Sequence, residues 1–364
     1  MKFIEMFAGI GGFRLGLENQ GHKCVWANEW LKNPRGIYEY NFKEVPNEKD
    51  IRNISARDVP DAELIVGGFP CATFSVAGKR TGFSLEDTRG TLCFEMFRIA
   101  NEKRIPYILF ENVKGLLNHD SGRTFAVILS ALDEMGYDSQ WELLDSQYFG
   151  VAQHRERIFL IANLRGEPRP KVFPIGQTGT KNDGENKREQ KKREGFFSNI
   201  SPTLDANYHK GGASRQYVNE EEVSQWRRTH FRKYKGGGVP TLTANMGTGG
   251  HNVPFIKATI TPDRANKRQN GRRFKEDGEP SFTLGAQDRH GVLIDDGIKT
   301  KIRKLTPLEC ERLQGLPDNF TKYRLENGAV VENSDSERYE RCGRTVTIPV
   351  IEAIGKKLGK EWYA

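Results

Sequence analysis

Cysteine is sparse in this 364-residue chain, and its five cysteines (Cys24, Cys71, Cys93, Cys310 and Cys342) lie far apart with no CxxC pair. This spacing argues against a zinc cluster or a disulfide framework and favours a reducing compartment. No apolar run approaches the roughly 18 residues of a membrane span, and the N-terminus lacks the apolar core of a signal peptide. We therefore expect a cytoplasmic protein with no metal centre and no membrane partner.

Positive charge is in modest excess, and that excess is concentrated in one part of the chain. The net charge is +8, and the pI is near 9.1. Residues 171–305 contain 26 Lys and Arg against 15 Asp and Glu, so the remainder of the chain is net negative. If a polyanion such as nucleic acid binds, this region is expected to form much of its electrostatic footprint.

The N-terminal segment reads as the start of a nucleotide-binding α/β unit. A short strand at Lys2–Met6 precedes the turn F-A-G-I-G-G and an amphipathic helix, an arrangement that lets backbone approach a ligand closely. A second strand ends at Glu29 and Trp30, where Rossmann-like folds place an acid against ribose hydroxyls. Asp50 and Ile51 are suited to bracketing a base. Each feature alone has an ordinary structural explanation, but together they favour an adenosyl-type cofactor.

A cysteine follows the third predicted strand almost at once. The apolar run at 64–66 ends in G-G-F-P and Cys71, at the strand end where open α/β sheets place ligands and chemistry. The polar loop after it carries Lys79 and Arg80, and nearby cations favour the reactive thiolate. Cys71 is therefore a candidate nucleophile, and a buried structural thiol is the alternative.

Two further strand ends carry charged residues. Glu111 follows the apolar strand at 107–110, and a surface or helix-capping glutamate is the alternative reading. The segment Q-H-R-E-R precedes a strand at 158–162, and its two arginines, Arg155 and Arg157, alternate onto one side of an extended chain. An exposed charged turn is the alternative for this segment.

The second half of the chain contains a weak internal repeat, T-L-x-A, beginning at residues 203, 241 and 283. Basic clusters with interleaved aromatics lie between the copies and suit phosphate contact, although a solvated charged face is the alternative. Two interpretations of the repeat are open. Each copy is a separate recognition unit, or all three copies belong to one recognition domain. The region is short for three modules, so we favour one recognition domain.

Five motifs occur in a fixed order: F-A-G-I-G-G from Phe7, Pro70-Cys71, Glu111-Asn-Val, Q-x-R-x-R from Gln153, and Gly343-x-x-Val346. In that order and spacing they resemble the cytosine-5 DNA methyltransferase family, of the kind paired with bacterial or phage modification systems. The resemblance covers nearly the whole chain except residues 171–302. Family members usually have Gln where Ala72 stands, and Gly-Asn-Ser-Val where this chain has Gly-Arg344-Thr-Val.

The resemblance implies a fold class and a division of the chain. The fold is α/β, with a Rossmann-like S-adenosylmethionine-dependent methyltransferase domain at 1–169 and a smaller, mostly β or irregular target-recognition domain at 170–340. Residues 341–364 would form a C-terminal helix that returns to the first domain. The implied partner is double-stranded DNA, bound by a monomer, with a cognate restriction endonuclease as a functional rather than a physical partner.

The resemblance also assigns the site. Cys71 would attack the cytosine, with Glu111, Arg155 and Arg157 around the base. The residues that would line the S-adenosylmethionine site are Phe7, Gly9, Gly11, Gly12, Glu29, Trp30, Asp50, Ile51, Pro70 and Leu92.

Three other functions remain open at this point. A nicotinamide-dependent oxidoreductase fits the glycine turn and Glu29, but it leaves Cys71 and Glu111 unexplained. A non-catalytic DNA-binding protein is a second alternative, since Ala72 and Arg344 depart from the family pattern. A tRNA-methylating relative is a third, although such proteins typically lack a long basic insert.

Overall fold

The computed structural model describes residues 1–69, 92–175, 256–260, 274–275, 279–285, 290–295 and 300–360. All of them belong to one unit, formed by Met1–Gln177 and Pro240–Ala364. Pro70, Cys71 and the loop after them lie outside the described residues, as do the first two T-L-x-A copies and most of the basic clusters. The predictions that fall there, and the division at 169 and 340, stay predictions.

One six-stranded sheet organises the described residues, with the strand order β2-β1-β3-β4-β6-β5. The first four strands in this order are parallel, and β6 and β5 are antiparallel to their neighbours. Its central strands are almost continuously apolar, as is usual where helices cover both faces of a sheet. The strands are β1 (Lys2–Met6), β2 (Lys23–Ala27), β3 (Leu64–Gly67), β4 (Tyr107–Val113), β5 (Tyr137–Asp145) and β6 (Glu156–Leu164).

Helices pack on both faces of this sheet, so the predicted α/β fold is confirmed. One face buries Ile65 against Phe97 and Ile128 of α3 and α4. The other face buries Val66 in the same core as Ile351 of the last helix. The helices are α1 (Gly12–Glu18), α2 (Lys32–Phe42), α3 (Leu92–Glu102), α4 (Arg123–Glu134), α5 (Pro307–Gln314), α6 (Asp335–Arg344) and α7 (Ile348–Lys360).

Two smaller β elements complete the described part of the chain. An antiparallel sheet contains β7 (Ile256–Ile260), β8 (His290–Asp295) and β9 (Thr300–Lys304), and a hairpin contains β10 (Tyr323–Glu326) and β11 (Ala329–Glu332). The hairpin turns at Asn-Gly, with φ of 54° and 79°, which is the dipeptide that two-residue hairpin turns prefer.

Capping residues set where α5 begins. The Thr306 hydroxyl accepts a hydrogen bond from the Glu309 amide, and the Glu309 carboxylate accepts one from the Thr306 amide. This reciprocal pair satisfies two amides that the first helical turn would otherwise leave without partners.

The C-terminal helix packs directly on the helix that follows the glycine turn. Gly16 of α1 is the point of closest approach: a Cβ atom there would lie 2.6 Å from Ile351 Cβ and 3.2 Å from the Ile348 carbonyl oxygen. Both neighbours belong to α7, so the absence of a side chain at Gly16 sets the distance between the two helices.

Gly16→Ala is therefore expected to lower the free energy of unfolding by about 1–3 kcal/mol, because overpacking outweighs the gain in helix propensity. Gly115→Ala is the matched control, since a Cβ there would meet Val113 Cγ2 at 3.8 Å and no other atom of the described residues within 4 Å. Chemical denaturation of both variants measures the difference. Equal stability of the two would mean that the α1–α7 contact does not depend on this glycine.

Strand β1 carries a carboxylic acid into the apolar interior. Glu5 is fully buried, with one oxygen accepting a hydrogen bond from the Arg14 amide and the other without a partner among the described residues. Burial raises the pKa of Glu5 to about 8, against the smaller opposing effect of Arg14. The side chain is therefore protonated in the folded protein at neutral pH.

This raised pKa makes stability depend on pH. The folded state holds a proton that the unfolded chain releases above about 4.5, so the free energy of unfolding falls as pH rises toward 8. The maximum slope from one group is about 1.4 kcal/mol per pH unit. Glu5→Gln is expected to lose that slope, and the exposed Glu134→Gln is expected to keep it. Urea denaturation from pH 5 to 9 tests this, and a parallel profile for Glu5→Gln and the parent would contradict it.

Candidate active site at the carboxyl ends of the central strands

The glycine turn after β1 depends on left-handed backbone conformations. Phe7, Gly9 and Gly11 have φ of 53°, 57° and 88°, a region that favours glycine. A Cβ at Gly11 would lie 2.3 Å from Phe42 Cε2, whereas a Cβ at Gly9 would meet only the Phe7 carbonyl among the described residues, at 3.9 Å. Gly11 is therefore required for packing against α2, and within the described part of the chain Gly9 leaves space above the turn.

Glu29, which follows the end of β2, forms hydrogen bonds with this turn. Its two carboxylate oxygens accept hydrogen bonds of 2.8 Å from the amides of Gly9 and Leu31. Burial raises the pKa of Glu29, against the opposing effects of these two amides and of the positive charges of Arg341 and Arg35. Trp30, next in the chain, is 60% exposed and presents an aromatic ring to solvent.

The remaining described residues of the predicted cofactor site lie at nearby strand and helix ends. Asp50 caps the short 3₁₀ turn Ile51–Asn53, and a fork of two hydrogen bonds from Arg52 lowers its pKa. Ile51 is buried in the core beside α3, and Leu92, the first residue of that helix, packs on the same core. Part of the Asp50 carboxylate is therefore engaged within its own turn.

The structure brings Glu111 and Arg157 together at the adjoining ends of β4 and β6. Arg157 Nε lies 3.0 Å from Glu111 Oε1, and both side chains are more than four-fifths buried. A Cβ atom at Gly68 would lie 3.3 Å from the other carboxylate oxygen, Oε2. This oxygen therefore faces the end of β3, three residues before Cys71.

Asn112 is a positioning residue that the sequence analysis quoted within a motif but did not assign. Its amide nitrogen donates a 3.1 Å hydrogen bond to the carbonyl of Phe69, and its amide oxygen accepts one from the Val113 amide. The side chain is buried. Asn112 therefore fixes the backbone two residues before Cys71, and the Glu-Asn pair at a strand end was the available signal.

Arg155 differs from the expectation that it lies beside the base. Its guanidinium donates to the carbonyls of Leu284, Gly343 and Thr345, at 2.9 to 3.1 Å, and it is almost fully buried. Burial lowers the pKa of Arg155, and the neighbouring charge of Arg157 acts in the same direction. Its geometry is that of a structural arginine, and a role around the base stays a prediction.

Gln153 joins the same network to the third T-L-x-A copy. Its amide oxygen accepts a 2.8 Å hydrogen bond from the Leu284 amide, and its amide nitrogen donates to the Leu313 carbonyl. Gln153 also forms a parallel β-bridge with Ser281. This copy of the repeat therefore packs against the segment that carries Arg155 and Arg157.

The C-terminal segment reaches the glycine turn. A Cβ atom at Gly12 would lie 2.5 Å from Thr345 Oγ1 and 2.8 Å from Val346 Cγ2. Because both residues belong to the Gly343-x-x-Val346 motif, the first and last of the five motifs are in contact, although more than 300 residues separate them.

These observations define a doubly wound α/β protein whose glycine turn and carboxylate–arginine pair meet at the carboxyl edge of one sheet. The chain matches the family described as C-5 cytosine-specific DNA methylase over residues 1–360. It belongs to that family, and its activity is that of a DNA (cytosine-5) methyltransferase.

Relatives and solved structures agree with this assignment. The chain is 35% identical to the type II methyltransferase M.Bsp6I of Bacillus sp. (strain RFL6), over 99% of both chains. It is 32% identical to the orphan methyltransferase M.SPRI of Bacillus phage SPR, over 98% of this chain and 97% of that one. The chain is also 30% identical to the type II methyltransferase M.HhaI of Haemophilus parahaemolyticus, over 99% of this chain and 94% of that one.

Solved structures share the fold. The Dnmt2 methyltransferase of S. pombe superposes with a TM-score of 0.56 at 17% identity, over 97% of this chain and 96% of that one. A putative DNA modification methyltransferase encoded within an E. coli prophage superposes with a TM-score of 0.53 at 18% identity, over 98% of each chain.

Because the chain belongs to this family, the alternative function of a nicotinamide-dependent oxidoreductase is excluded. Within the described ranges, no helix is long and apolar enough to cross a membrane.

Arg155→Lys is expected to lower the free energy of unfolding by about 2–4 kcal/mol, because one ammonium group cannot reach the carbonyls that the buried guanidinium fork satisfies. Arg165→Lys is the matched control, since Arg165 is half exposed and pairs with surface carboxylates. Thermal and urea denaturation measure both. A midpoint for Arg155→Lys equal to that of the parent would contradict the structural role.

Proposed function

We propose that the protein transfers a methyl group from S-adenosylmethionine to C5 of a cytosine in a short double-stranded DNA sequence, through a covalent bond between Cys71 and C6 of a flipped-out base. The observation that carries this proposal is the Glu111–Arg157 pair, because the second carboxylate oxygen of Glu111, Oε2, faces Gly68, three residues before Cys71. Family membership and the order of the five motifs support it.

The residues around the glycine turn fit this cofactor. Glu29 lies where ribose hydroxyls bind in Rossmann-like folds, and the exposed ring of Trp30 is available to a flat base. Asp50 and Ile51 offer a carboxylate and an apolar side chain to the adenine, and the space over Gly9 leaves room for a ligand. When bound, S-adenosylmethionine supplies an electrophilic methyl group on a sulfonium.

Cytosine C5 is a poor nucleophile, so the enzyme first has to activate the ring. The Cys71 thiolate adds to C6, which breaks the conjugation of the ring and makes C5 enamine-like. Negative charge builds at N3 during this step, and Glu111, placed opposite N3, offsets it as a general acid. Arg157 Nε pairs with Glu111 Oε1 and so orients the acid. The same guanidinium is the group that would contact O2 of the base.

The cycle closes by elimination. After C5 has taken the methyl group, its proton leaves to a base, for which water is a candidate. The electron pair of the C5–H bond reforms the C5–C6 double bond as the C6–S bond breaks, so Cys71 leaves as the thiolate, and the proton at N3 returns to Glu111. Arg155 contributes by holding the segment that carries Arg157, since its own contacts are to carbonyl groups.

The target atoms cannot be reached inside a duplex, so the base has to be extruded at a cost of a few kcal/mol. We assign closure over the DNA to the loop at 75–89, and sequence readout in the major groove to the domain at 170–340. The positive excess of residues 171–305 supports this assignment. We assign the C-terminal segment from residue 341 to the cofactor domain. The contact of Thr345 and Val346 with Gly12 supports this assignment.

We further propose that the enzyme works as a monomer in the bacterial cytoplasm, bound to the nucleoid through DNA. Methylation by it would protect DNA from a restriction endonuclease of the same specificity, without a stable complex between the two. Relatives named as type II methyltransferases support this role, and relatives named as orphan methyltransferases support methylation without a paired nuclease.

Transfer of a labelled methyl group from S-adenosylmethionine to DNA tests the reaction. Cys71→Ser is expected to abolish transfer, and Glu111→Gln to reduce it by about 10²–10⁴-fold, the usual range for a positioned acid. Glu156→Gln is the matched control, because Glu156 lies one residue from Arg157 but pairs with Lys114. It is expected to retain transfer.

Turnover of folded Cys71→Ser at the parent rate would overturn the covalent mechanism. Transfer to tRNA in preference to duplex DNA would overturn the substrate assignment. Methylation-sensitive sequencing of a host that expresses the protein gives the target sequence, and several unrelated target sequences would overturn the assignment of one recognition domain.

A further inference from the structure

The segment Q-H-R-E-R contains a histidine that the proposed reaction does not use. His154 Nδ1 lies 2.5 Å from Asp145 Oδ2, and 45% of the His154 side chain is exposed. In the described part of the chain, the hydrogen-bond contacts of this ring are all made by Nδ1. Because Nδ1 is directed at the carboxylate, Nε2 is the ring nitrogen that an external acceptor can reach.

Backbone and side-chain donors hold Asp145 in place. Its side chain is 11% exposed, and its Oδ1 accepts hydrogen bonds from the amides of Arg155, at 2.9 Å, and Gln147, at 3.3 Å. The side-chain amide of Gln147 donates to Oδ2. A carboxylate held in this way fixes the orientation of the imidazole, so Nε2 points in a defined direction.

The His154–Asp145 pair lies at the edge of the sheet that carries the candidate site. Asp145 is the last residue of β5 and lies opposite the first residue of β6. Val113 is the last residue of β4 and lies opposite Arg157, the second residue of β6. Strand β3, which leads to Cys71, is parallel to β4. The histidine is therefore on the same carboxyl edge as the candidate nucleophile.

The third T-L-x-A copy joins this edge at His154. The His154 amide donates to the Ser281 carbonyl at 3.1 Å, and the Thr283 hydroxyl donates to the His154 carbonyl at 2.6 Å. Lys275 Nζ lies 5.0 Å from the ring centroid of Phe282, and its positive charge acts on His154. A duplex that contacts both the carboxyl edge and the proposed recognition domain has to pass over this junction.

We propose that His154, with the positive charge of Lys275 beside it, binds a phosphate group of the DNA next to the target cytosine, an inference that rests on the proposed function. Nε2 of the protonated imidazole donates to a phosphate oxygen, and such charge-assisted hydrogen bonds are among the stronger ones. Asp145 is a positioning residue that acts through His154. A contact of this kind fixes the protein on the DNA and carries no sequence information.

Only the protonated imidazole offers a donor and a positive charge at once, so the contact depends on pH. The hydrogen bond to Asp145 raises the pKa of His154, against the effect of partial burial. The charge of Glu156 acts in the same direction as that of Asp145, and the charge of Lys275 opposes them. The contact is therefore largely formed at pH 6.5, the ordinary pKa of histidine, and is lost as the pH rises through the raised value.

Fluorescence anisotropy with the full-length protein and a labelled duplex that contains its target sequence measures this contact. His154→Gln is expected to weaken binding about three- to tenfold at pH 6.5. The slope of log affinity against log salt concentration is expected to fall by about one in this variant. The affinities of His154→Gln and the parent are expected to converge as the pH rises toward 9, because the parent then loses the same charge.

Two further variants control for charge. Lys23→Gln removes one positive charge from an exposed residue at the first position of β2, on the opposite edge of the sheet, and is expected to bind DNA as the parent does. His154→Lys keeps a positive charge up to about pH 10, so it is expected to restore affinity and to lose the pH dependence. Equal affinities of His154→Gln and the parent at pH 6.5, or an equal loss in Lys23→Gln, would overturn the proposal.

Asp145→Asn tests the positioning residue. The amide retains an oxygen acceptor but removes the negative charge, so the pKa of His154 is expected to fall. The loss of DNA affinity is then expected to begin at a lower pH than in the parent. A pH profile identical to that of the parent would contradict the role of Asp145.

Uncharged phosphates in the DNA locate the contact. Replacing one phosphate at a time by a methylphosphonate is expected to weaken the parent at a position next to the target cytosine, and His154→Gln is expected not to respond to that replacement. If His154→Gln responds at every position as the parent does, His154 does not bind a phosphate and the proposal is wrong. Failure of the parent to methylate this duplex would instead contradict the proposed function.

Discussion

The guanidinium of Arg155 joins three parts of the chain that are remote in sequence. It lies just before β6 and donates to the carbonyl of Leu284 in the third T-L-x-A copy, to that of Gly343 in the last turn of α6, and to that of Thr345 just after this helix. Thr345 in turn contacts Gly12. Because carbonyl groups at such depth need donors, this one side chain keeps the glycine turn, the Arg157 segment and the start of α7 in register.

The central sheet could be predicted from the sequence because burial on both faces leaves a direct mark on composition. The runs around Ile65 and Leu109 are continuously apolar and short, which indicates strands in a parallel sheet. The sequence also shows which charged residues come at the ends of these strands. Glu29 and Glu111 were therefore predicted at the carboxyl edge of the sheet, where the structure has them. Thr306 and Glu309 have the residue types and spacing of a capping box, which marks the start of α5.

Other elements could not be read in this way because tertiary contacts determine them. Helix α2 contains Pro34 and Gly36, and its glycine is explained only by β10, whose Leu325 carbonyl would lie 2.3 Å from a Cβ at residue 36. The hydrogen-bond partners of Arg155 could not be read from the sequence either. Alternation along an extended segment places it on the same side as Arg157, but burial against the C-terminal segment gives it different partners.

Glu29 and Glu111 show how two carboxylates at one sheet edge come to differ. Both Glu29 oxygens accept backbone amides, so this side chain is part of the glycine turn and presents its remaining lone pairs in a fixed direction. Glu111 is held through one oxygen by Arg157, and its Oε2 faces Gly68. A Cβ atom at residue 68 would lie 3.3 Å from that oxygen, so one of the two groups would have to shift by a few tenths of an ångström. The absence of a side chain at Gly68 therefore keeps open the space between Glu111 and the end of β3.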